Sequence, residues 1–445
     1  MLRPWLARSA VKASAAVLLA LAGQAAAADG VYTPFASVQS VLEHYRGKLP
    51  AGLTPNAASW NAWARRSDVA IRARLDQGDL DSMVNLLLFG VTFTDKPRIA
   101  LEQMAEASRT GLLRGRLEDF LGALRSPGSN ERFVFIRQLL RKRGFDVDTP
   151  EASRRTGVFV LQNLERVLKE LRVYGERTAA TNPSESFTER SRVFRDRGVS
   201  TDTSILPSFG LDRTLGEIAD QRLLRTGSVA RVAVIGPGLD FADWDGGYDT
   251  YPQQTLQPFG LYSTLRRLRL SSPQLAISVL DISPRVLGHM RGTRERSRRG
   301  YDVTLLRDPA NGWLPELVDY WKAFGDSDGG RAPAPQIGIE TRISHFTPSA
   351  VLATEALDAN IVVQRLPAKR FDLVVATNVF VYYDEFEQAV AAANVAAMLQ
   401  PGGLLLTNNQ LPELPTGLRK VGQTRLRYSN RDGAGDTFLW YQRTQ

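Results

Sequence analysis

Residues 371–383 read FDLVVATNVFVYY, a short apolar run that passes into a polar and then an aromatic segment. Apart from Asp372, its first six residues are apolar, which is typical of a strand buried on both faces of a sheet. Asn378 and Tyr382 follow the strand directly. Open α/β sheets bind ligands at the carboxyl ends of their strands, so the stretch predicts both a fold class and the place of a site.

Strand and helix patterns alternate on both sides of this stretch. Asp384 is suited to cap a helix that runs to Leu399, and PGG at 401–403 is suited to end it. Strands separated by helices predict a parallel sheet covered on both faces. The further strands that we predict lie at 230–235, 276–280 and 404–406, and residues 424–428 and 438–441 form a predicted C-terminal antiparallel hairpin that turns at 430–433.

Two features at the ends of the first predicted strands indicate a nucleoside site. The strand at 230–235 leads directly into Gly236-Pro237-Gly238, where glycines allow the backbone to approach a ligand closely. Asp281 ends the strand at 276–280, and a carboxylate there can accept hydrogen bonds from both ribose hydroxyls. Because parallel strands end at one edge of the sheet, we expect these residues to meet Asn378.

These segments together resemble class I S-adenosylmethionine-dependent methyltransferases, over about residues 229–445. FDLVV resembles the start of their fourth strand, LQPGGLLL at 399–406 resembles the entry to the fifth, and the hairpin resembles their antiparallel sixth and seventh strands. The segment Asn378–Tyr382 is most similar to the chemotaxis-receptor methyltransferases, whose Arg before the Asn is Thr377 here. The resemblance implies an α/β Rossmann-like sheet with a C-terminal antiparallel hairpin, which an all-α N-terminal domain precedes.

The resemblance also implies an S-adenosylmethionine site, although neither it nor the sequence names a catalytic residue. The glycine turn would pack under the adenosine and methionine parts, Asp281 would hold the ribose, the amide of Asn378 would contact the methionine end, and Tyr382 would wall the site. The cofactor-binding residues that we predict are Gly236, Pro237, Gly238, Asp281, Asn378 and Tyr382.

The chain departs from the family motif at two positions. An acid that often helps to orient the ammonium group of the cofactor stands two residues before the first glycine of the motif, where this chain has Val234. The third glycine of the motif is replaced by Asp240. Residues 241–257 are inserted before the next helix, and we leave open whether they cover the pocket or form an ordinary surface loop.

The N-terminal half carries helical periodicity only. Thr149-Pro150-Glu151 predicts a helix start, because it combines a hydroxyl cap, a proline that needs no N–H donor and an acid near the positive end of the helix dipole. A polar segment around Asn182-Pro183 follows this half. We therefore predict a helical domain at 29–175, a linker and lead-in segment at 176–228, and a methyltransferase-like domain at 229–445.

The first 28 residues have the order of a secretory signal peptide: basic residues, an apolar run at 15–22, and small residues that end at Ala28. This order predicts a periplasmic or exported protein, and an uncleaved membrane anchor is the alternative. No later segment is apolar for long enough to span a bilayer. The sequence contains no cysteine, which excludes disulfides and thiolate metal sites.

Composition narrows the functional classes. The net charge of +9 is spread as arginine pairs, so we expect no nucleic-acid binding, and the three histidines show no metal-ligand spacing. We expect a methyltransferase-like enzyme with an unknown acceptor; a non-catalytic binding module at the cell envelope is the alternative, and an NAD-type oxidoreductase fits the glycine pattern less well. Export conflicts with a cofactor that is made in the cytoplasm. The oligomeric state does not follow from the sequence.

Overall fold

The computed structural model of this 445-residue chain describes residues 29–179, 198–242, 247–367, 370–412, 416–431 and 433–444. The predicted signal peptide, residues 180–197 of the predicted linker and lead-in segment, and the insert residues 243–246 lie outside the described ranges. The helices are α1 (Gln39–His44), α2 (Ala57–Ala73), α3 (Leu75–Phe89), α4 (Met104–Arg109), α5 (Leu112–Arg125), α6 (Glu131–Lys142), α7 (Pro150–Ala179), α8 (Ile205–Asp220), α9 (Gln257–Arg267), α10 (Pro284–Glu295), α11 (Pro315–Ala323), α12 (Pro348–Leu352) and α13 (Glu385–Met398). The strands are β1 (Val31–Tyr32), β2 (Val229–Ile235), β3 (Ser271–Asp281), β4 (Tyr301–Arg307), β5 (Ser327–Gly330), β6 (Glu340–Phe346), β7 (Thr354–Asp358), β8 (Gln364–Arg365), β9 (Phe371–Ala376), β10 (Leu399–Thr407), β11 (Leu418–Arg427) and β12 (Gly435–Arg443).

A seven-stranded sheet organises the C-terminal half, with the spatial order β7-β3-β2-β9-β10-β12-β11. The first five strands in this order are parallel, and β12 runs antiparallel to both of its neighbours. Numbered along the chain within this sheet, the order is 3-2-1-4-5-7-6, with the last strand inserted between the fifth and the sixth. The fold is therefore α/β and Rossmann-like, and the predicted C-terminal hairpin is confirmed.

Alternate side chains along the strands pack into two hydrophobic cores, one on each face of the sheet. Ala233 and Ile235 of β2 point to a core shared with α1, α2 and α13. Val232 and Val234 point to the opposite core, which α8 and α9 complete. All four side chains are at most 4% exposed, as expected for a parallel sheet covered by helices. Val234, which stands in place of the family's acid, is thus an ordinary core residue.

The beginning of the N-terminal half belongs to this sheet and not to a separate helical unit. Trp60 and Trp63 of α2 are 0% and 6% exposed and share one core with Val374 of β9 and Phe386 of α13. In addition, β1 pairs with β8, antiparallel. The structure thus differs from the predicted all-α domain at 29–175: its first part completes the covering of the sheet, because the apolar face that the sheet presents there needs α1 and α2.

The remaining N-terminal helices pack mainly on one another. Phe120 of α5 and Phe133 of α6 lie at the centre of a core that also contains apolar side chains of α3 and α7. One residue of the C-terminal half, Phe241, reaches into this core. Helix α7 begins at Pro150, where the hydroxyl of Thr149 accepts a hydrogen bond from the backbone of Ala152 at 3.2 Å, which confirms the predicted helix start.

Two other features bear on the site. Asp384 caps α13 in a reciprocal capping box with Glu387, so the predicted helix start after the β9 loop is confirmed. The antiparallel sheet formed by β4, β6 and β5 was not predicted. Within the described ranges, no helix combines the length and the apolar character needed to cross a membrane.

Candidate cofactor site

The predicted site residues meet at one cavity of about 660 Å³, which lies where β2, β3 and β9 end. This volume is within the range of small-molecule sites, about 300–1,000 Å³. The strands are neighbours in the sheet, so residues far apart in sequence arrive at one edge. The lining includes all six of the predicted residues: Gly236, Pro237, Gly238, Asp281, Asn378 and Tyr382.

The turn after β2 needs its two glycines for backbone reasons that the structure makes explicit. Gly236 and Gly238 have φ angles of 59° and 75°, in the region that favours glycine. A Cβ on Gly236 would lie 3.0 Å from Cγ2 of Val379 in the loop after β9. A Cβ on Gly238 would lie 2.5 Å from the backbone oxygen of Thr201. The space next to Gly238 is thus occupied by residues 201–203 of the chain itself, whereas the resemblance implies a ligand at this place.

The segment that crosses Gly238, residues 198–204, is part of the cavity wall and was not predicted from the sequence. The backbone N–H of Leu239 donates to the backbone oxygen of Thr201 at 2.6 Å. At its other end the N–H of Val199 donates to the backbone oxygen of Arg74 at 3.1 Å. The segment is therefore held between the start of α3 and the glycine turn.

Asp281 ends β3 as predicted and is 7% exposed. Its Oδ1 accepts a hydrogen bond from the backbone N–H of Ser283 at 2.7 Å, and the hydroxyl of Ser283 in turn caps α10. Burial raises the pKa of Asp281 to about 7, although the N–H groups of Ser283 and Ile282 lower it. The carboxyl group thus lines the cavity and also fixes the turn into α10.

Asn378 and Tyr382 sit in the loop after β9 and are held by two other parts of the chain. Asn378 has a φ of 56°, a left-handed conformation that asparagine tolerates better than most residues. Its backbone N–H donates to the side-chain oxygen of Asn408, which follows β10, and its own side-chain oxygen accepts a hydrogen bond from the amide of Asn408. The backbone oxygen of Tyr382 accepts a hydrogen bond from Arg74 at 2.6 Å. Thr377, at the position of the chemotaxis-receptor enzymes' arginine, bonds Gln257 through its hydroxyl.

Two acids outside the predicted set line the cavity beside the lead-in segment. Asp81 of α3 forms a short ion pair with Arg166, so this acid already has a cationic partner. Asp202 accepts hydrogen bonds from the hydroxyl of Ser82 at 3.2 and 3.3 Å and has no ion pair within the described ranges. Burial raises the pKa of Asp202 to about 6, and the positive charge of Arg285 opposes that rise.

Asp240, which replaces the third glycine of the motif, has a structural role behind the cavity. It is 4% exposed and accepts hydrogen bonds from the phenol of Tyr251 at 2.9 Å and the amide of Gln254 at 3.3 Å. Further along the insert, Asp249 accepts from the backbone N–H of Val91 at 2.8 Å. The described part of the insert therefore ties the cavity wall to the helical region.

Another part of the cavity wall is built by the turn of the C-terminal hairpin, which docks on the loop before α11. The N–H of Leu314 donates to the backbone oxygen of Tyr428 at 2.9 Å, and the guanidinium of Arg431 donates to the backbone oxygen of Ala310 at 3.1 Å. Trp313, Tyr428 and Arg431 line the cavity and are called the hairpin wall below. The sequence offered no signal for it beyond the hairpin itself.

The cavity fits a nucleoside cofactor in shape and chemistry. Its apolar lining includes Leu280, Ile282 and Ile361, which can cover a flat base, next to the carboxyl group of Asp281. Two lining side chains, Gln257 and Asn409, are 2% and 6% exposed, and each has a buried amide oxygen without a partner in the described part of the chain. An unbonded buried polar atom costs about 1–3 kcal/mol, so a ligand with N–H or O–H donors would be favoured there.

A metal site finds no support in the part of the chain that the structure covers. No three histidine, aspartate or glutamate side chains come together there as metal ligands would. His289 instead bonds the phenol of Tyr301 at 2.9 Å, and burial lowers its pKa to about 4.

No protein-family model matches the chain, and a search of curated proteins found no match. Among solved structures, N-methyltransferase NodS from Bradyrhizobium japonicum WM9 matches at 15% identity over 53% of this chain and 97% of that chain, with a TM-score of 0.27. A TehB-like SAM-dependent methyltransferase from Corynebacterium glutamicum matches at 13% identity over 59% and 100%, with a TM-score of 0.27. The glycopeptide N-methyltransferase MtfA, solved with S-adenosylmethionine, matches at 13% identity over 52% and 86%, with a TM-score of 0.27. Similarity at this level carries no argument of its own, and the assignment of an α/β Rossmann-like fold rests on the strand order of the sheet.

Proposed function

We propose that this cavity binds S-adenosylmethionine and that the chain is an S-adenosylmethionine-dependent methyltransferase-like protein. One observation carries the proposal: Gly236, Gly238, Asp281 and Asn378 line one cavity at the carboxyl ends of three adjacent parallel strands. In a sheet of this strand order that edge is the ligand-binding edge.

Within the proposed site, the chain's own residues bind and orient the cofactor. Ionised Asp281 accepts hydrogen bonds from the ribose hydroxyls, while the glycine turn allows close approach of the backbone. Bound S-adenosylmethionine supplies a methyl group that its sulfonium sulfur activates for transfer. Holding an acceptor in line with that methyl group can supply much of the rate acceleration, so a dedicated base is not required.

We infer that the acceptor enters along the hairpin wall. This wall lines the same cavity as the glycine turn and offers an indole, a phenol and a guanidinium, from Trp313, Tyr428 and Arg431. The similarity of residues 378–382 to chemotaxis-receptor methyltransferases does not extend to their acceptor, because Thr377 bonds Gln257 inside the protein and offers no cation.

The alternative, a non-catalytic binding module on the same fold, is favoured by one specific observation. Val234 stands where the family has an acid, and its side chain is 0% exposed in the core beneath α9. The position therefore contributes no charge to the cavity. A module of this kind would bind S-adenosylmethionine and S-adenosylhomocysteine but transfer no methyl group.

We also propose that the mature protein begins near Asp29 and works outside the cytoplasm. The proposal rests on the signal-peptide order of residues 1–28. Mass spectrometry of the native N-terminus tests it: an intact Met1 in the membrane fraction would instead support an anchor. Export would leave the cofactor to be supplied from the cytoplasm, where it is made.

Calorimetry of the purified chain with S-adenosylmethionine, S-adenosylhomocysteine and NAD tests the main proposal. We expect both adenosyl ligands to bind and NAD to give no signal. Absence of binding by both adenosyl ligands would end the proposal. A second measurement, transfer of a labelled methyl group to extracts of the source cells, separates the enzyme from the non-catalytic module.

A further inference from the structure

We propose that Asp202 is the carboxylate that binds the α-ammonium group of the cofactor. The inference rests on the proposed function and assigns a residue that the sequence did not single out. It starts from the chemistry of the ligand. S-adenosylmethionine and S-adenosylhomocysteine share a free amino-acid end whose ammonium group is positive at neutral pH, and a cation leaving water needs a negative or strongly polar partner.

Four carboxylates line the cavity, and three of them are already committed. Asp81 pairs with Arg166. Asp436 accepts a hydrogen bond from the phenol of Tyr428 at 2.8 Å on the hairpin wall. Asp281 fixes the turn into α10 and lies at the end of β3, where a ribose is expected. Asp202 accepts only from a neutral hydroxyl and has no ion pair within the described ranges.

The backbone fixes Asp202 next to the glycine turn. A Cβ on Gly238 would lie 3.4 Å from the backbone oxygen of Asp202, so the glycine turn and the segment at 198–204 are in contact. The neighbouring Thr201 is bonded to Leu239 of the turn, and its hydroxyl also accepts from Arg285. The carboxylate is therefore carried by a fixed part of the wall. A charge held in a fixed position binds a cation with little ordering cost.

Electrostatics near Asp202 agree with a cationic ligand. The side chain is buried enough for desolvation to raise its pKa to about 6, and Asp79 and Asp81 add negative potential. Arg285 is the cation that opposes this rise, but its guanidinium donates to Gln253, Asp79 and Thr201. Arg285 thus neutralises only part of the negative charge of Asp79, Asp81 and Asp202, and a bound ammonium group would neutralise more of it.

The test is a comparison of two ligands on three forms of the full chain. The ligands are S-adenosylhomocysteine and its deamino analogue, which lacks only the ammonium group. The forms are the wild type, Asp202→Asn, and the control Asp319→Asn, which removes an exposed acid that does not line the cavity. Calorimetry gives each dissociation constant, and thermal unfolding shows that each form is folded.

We expect the wild type to prefer S-adenosylhomocysteine by about ten- to hundredfold, the range of a charge-assisted hydrogen bond. Asp202→Asn should reduce this preference to about threefold or less, whereas Asp319→Asn should keep it. An unchanged preference in Asp202→Asn would overturn the inference and leave the proposed function intact. Failure of the wild type to bind either ligand would instead end the proposed function. If Asp202→Asn does not fold, Asp202→Ser, which is likewise polar and uncharged, takes its place under the same criteria.

Discussion

Asn378 and Asn408 join the ends of two adjacent strands through a reciprocal pair of hydrogen bonds. The backbone N–H of Asn378 donates to Oδ1 of Asn408 at 2.7 Å, and Nδ2 of Asn408 donates to Oδ1 of Asn378 at 2.6 Å. The pair fixes the loop after β9 to the loop after β10, at the edge of the sheet that holds the cavity. Asn378 therefore helps to shape the cavity wall, whatever else it contacts.

This geometry predicts an unusual order of stability at position 378. Asn378→Ala should be less stable than Asn378→Gly by about 1 kcal/mol, because alanine is strained at a positive φ and glycine is not. Urea denaturation of both variants measures the difference. Asn408→Ala, which keeps Asn378 but removes its partner, should cost about 1 kcal/mol relative to the wild type. An alanine variant at 378 that is as stable as the glycine variant would contradict the conformational argument.

Asp281→Ala should weaken the binding of S-adenosylhomocysteine by about ten- to hundredfold, since two hydroxyls lose a charged acceptor. The matched control is Ser283→Ala, which removes the cap of α10 beside it and should cost about 1 kcal/mol of stability with unchanged affinity. Calorimetry and urea denaturation of both variants separate the two roles. If Asp281→Ala lowers the stability but leaves the affinity unchanged, Asp281 only holds the turn into α10 and does not bind the ribose.

The affinity for S-adenosylhomocysteine should also depend on pH. Burial raises the pKa of Asp281 to about 7, and ribose hydroxyls donate to the ionised form. Binding therefore favours loss of the proton, and affinity should rise as the pH increases through about 7. Asp281→Asn should lack this part of the rise in a calorimetric pH series. A rise of equal size in the variant would assign it to another group.

The burial of Asp240 predicts a pH dependence of protein stability that is separate from the pH dependence of ligand binding. Burial raises its pKa from the ordinary value of 3.8 to about 7, so the folded state holds a proton that the unfolded state releases. The stability from this group is complete below pH 3.8 and is lost as the pH rises through about 7. The free energy of unfolding of the wild type, relative to Asp240→Asn, should fall across that window in urea titrations. If the free energies of unfolding of the wild type and Asp240→Asn change with pH in parallel, the prediction is wrong. Asp319→Asn, at an exposed acid, is the control.

Gly238→Ala should destabilise the protein even without ligand, because the added Cβ would lie 2.5 Å from the backbone oxygen of Thr201. Gly144→Ala is a matched control: its φ of 79° is similar to the 75° of Gly238, but nothing lies within 4 Å of its Cβ position. The control should show only the conformational cost, about 1–2 kcal/mol, and Gly238→Ala should exceed it. Equal melting temperatures for the two variants would show that residues 198–204 move aside freely.

Trp60→Ala should destabilise the sheet and the N-terminal helices together. The side chain is 0% exposed, packs in the core shared with β9, and donates from Nε1 to the backbone oxygen of Thr33 at 2.7 Å. Loss of a buried tryptophan costs about 3–5 kcal/mol. A fragment that starts near residue 190 should likewise aggregate, because it exposes one face of the sheet. A soluble, folded fragment of this kind would restore the domain boundary that the sequence predicts.

Much of the sheet could be predicted because its central strands are continuous apolar runs. Residues 371–376 and 230–235 show this pattern, and both are central strands in the structure. The edge strand β7 reads TEALD and is too polar to be recognised in the same way. The three-stranded sheet of β4, β6 and β5 was missed for a related reason, since its strands mix polar residues and glycines with short apolar stretches.

The site could be predicted only where it follows a strand. Gly236, Asp281 and Asn378 could be predicted to line one cavity because chain topology brings strand ends together. Asp202 and Trp313 lie in irregular backbone with no periodicity, so only tertiary packing shows that they line the cavity. The role of α2 as a cover for the sheet was missed because an apolar helix face does not reveal which surface it contacts.

The pairing of β1 with β8 sets a condition on how the polypeptide reaches its native state. Val31 lies opposite Arg365, so the first strand to be synthesised must wait for nearly all of the chain before its partner exists. Contacts of such high sequence separation make folding slow. Until then the aromatic face of α2 is exposed to water. The nascent chain therefore lacks this pairing through most of its synthesis, and the core between α2 and the sheet closes only after β9 and α13 have been made.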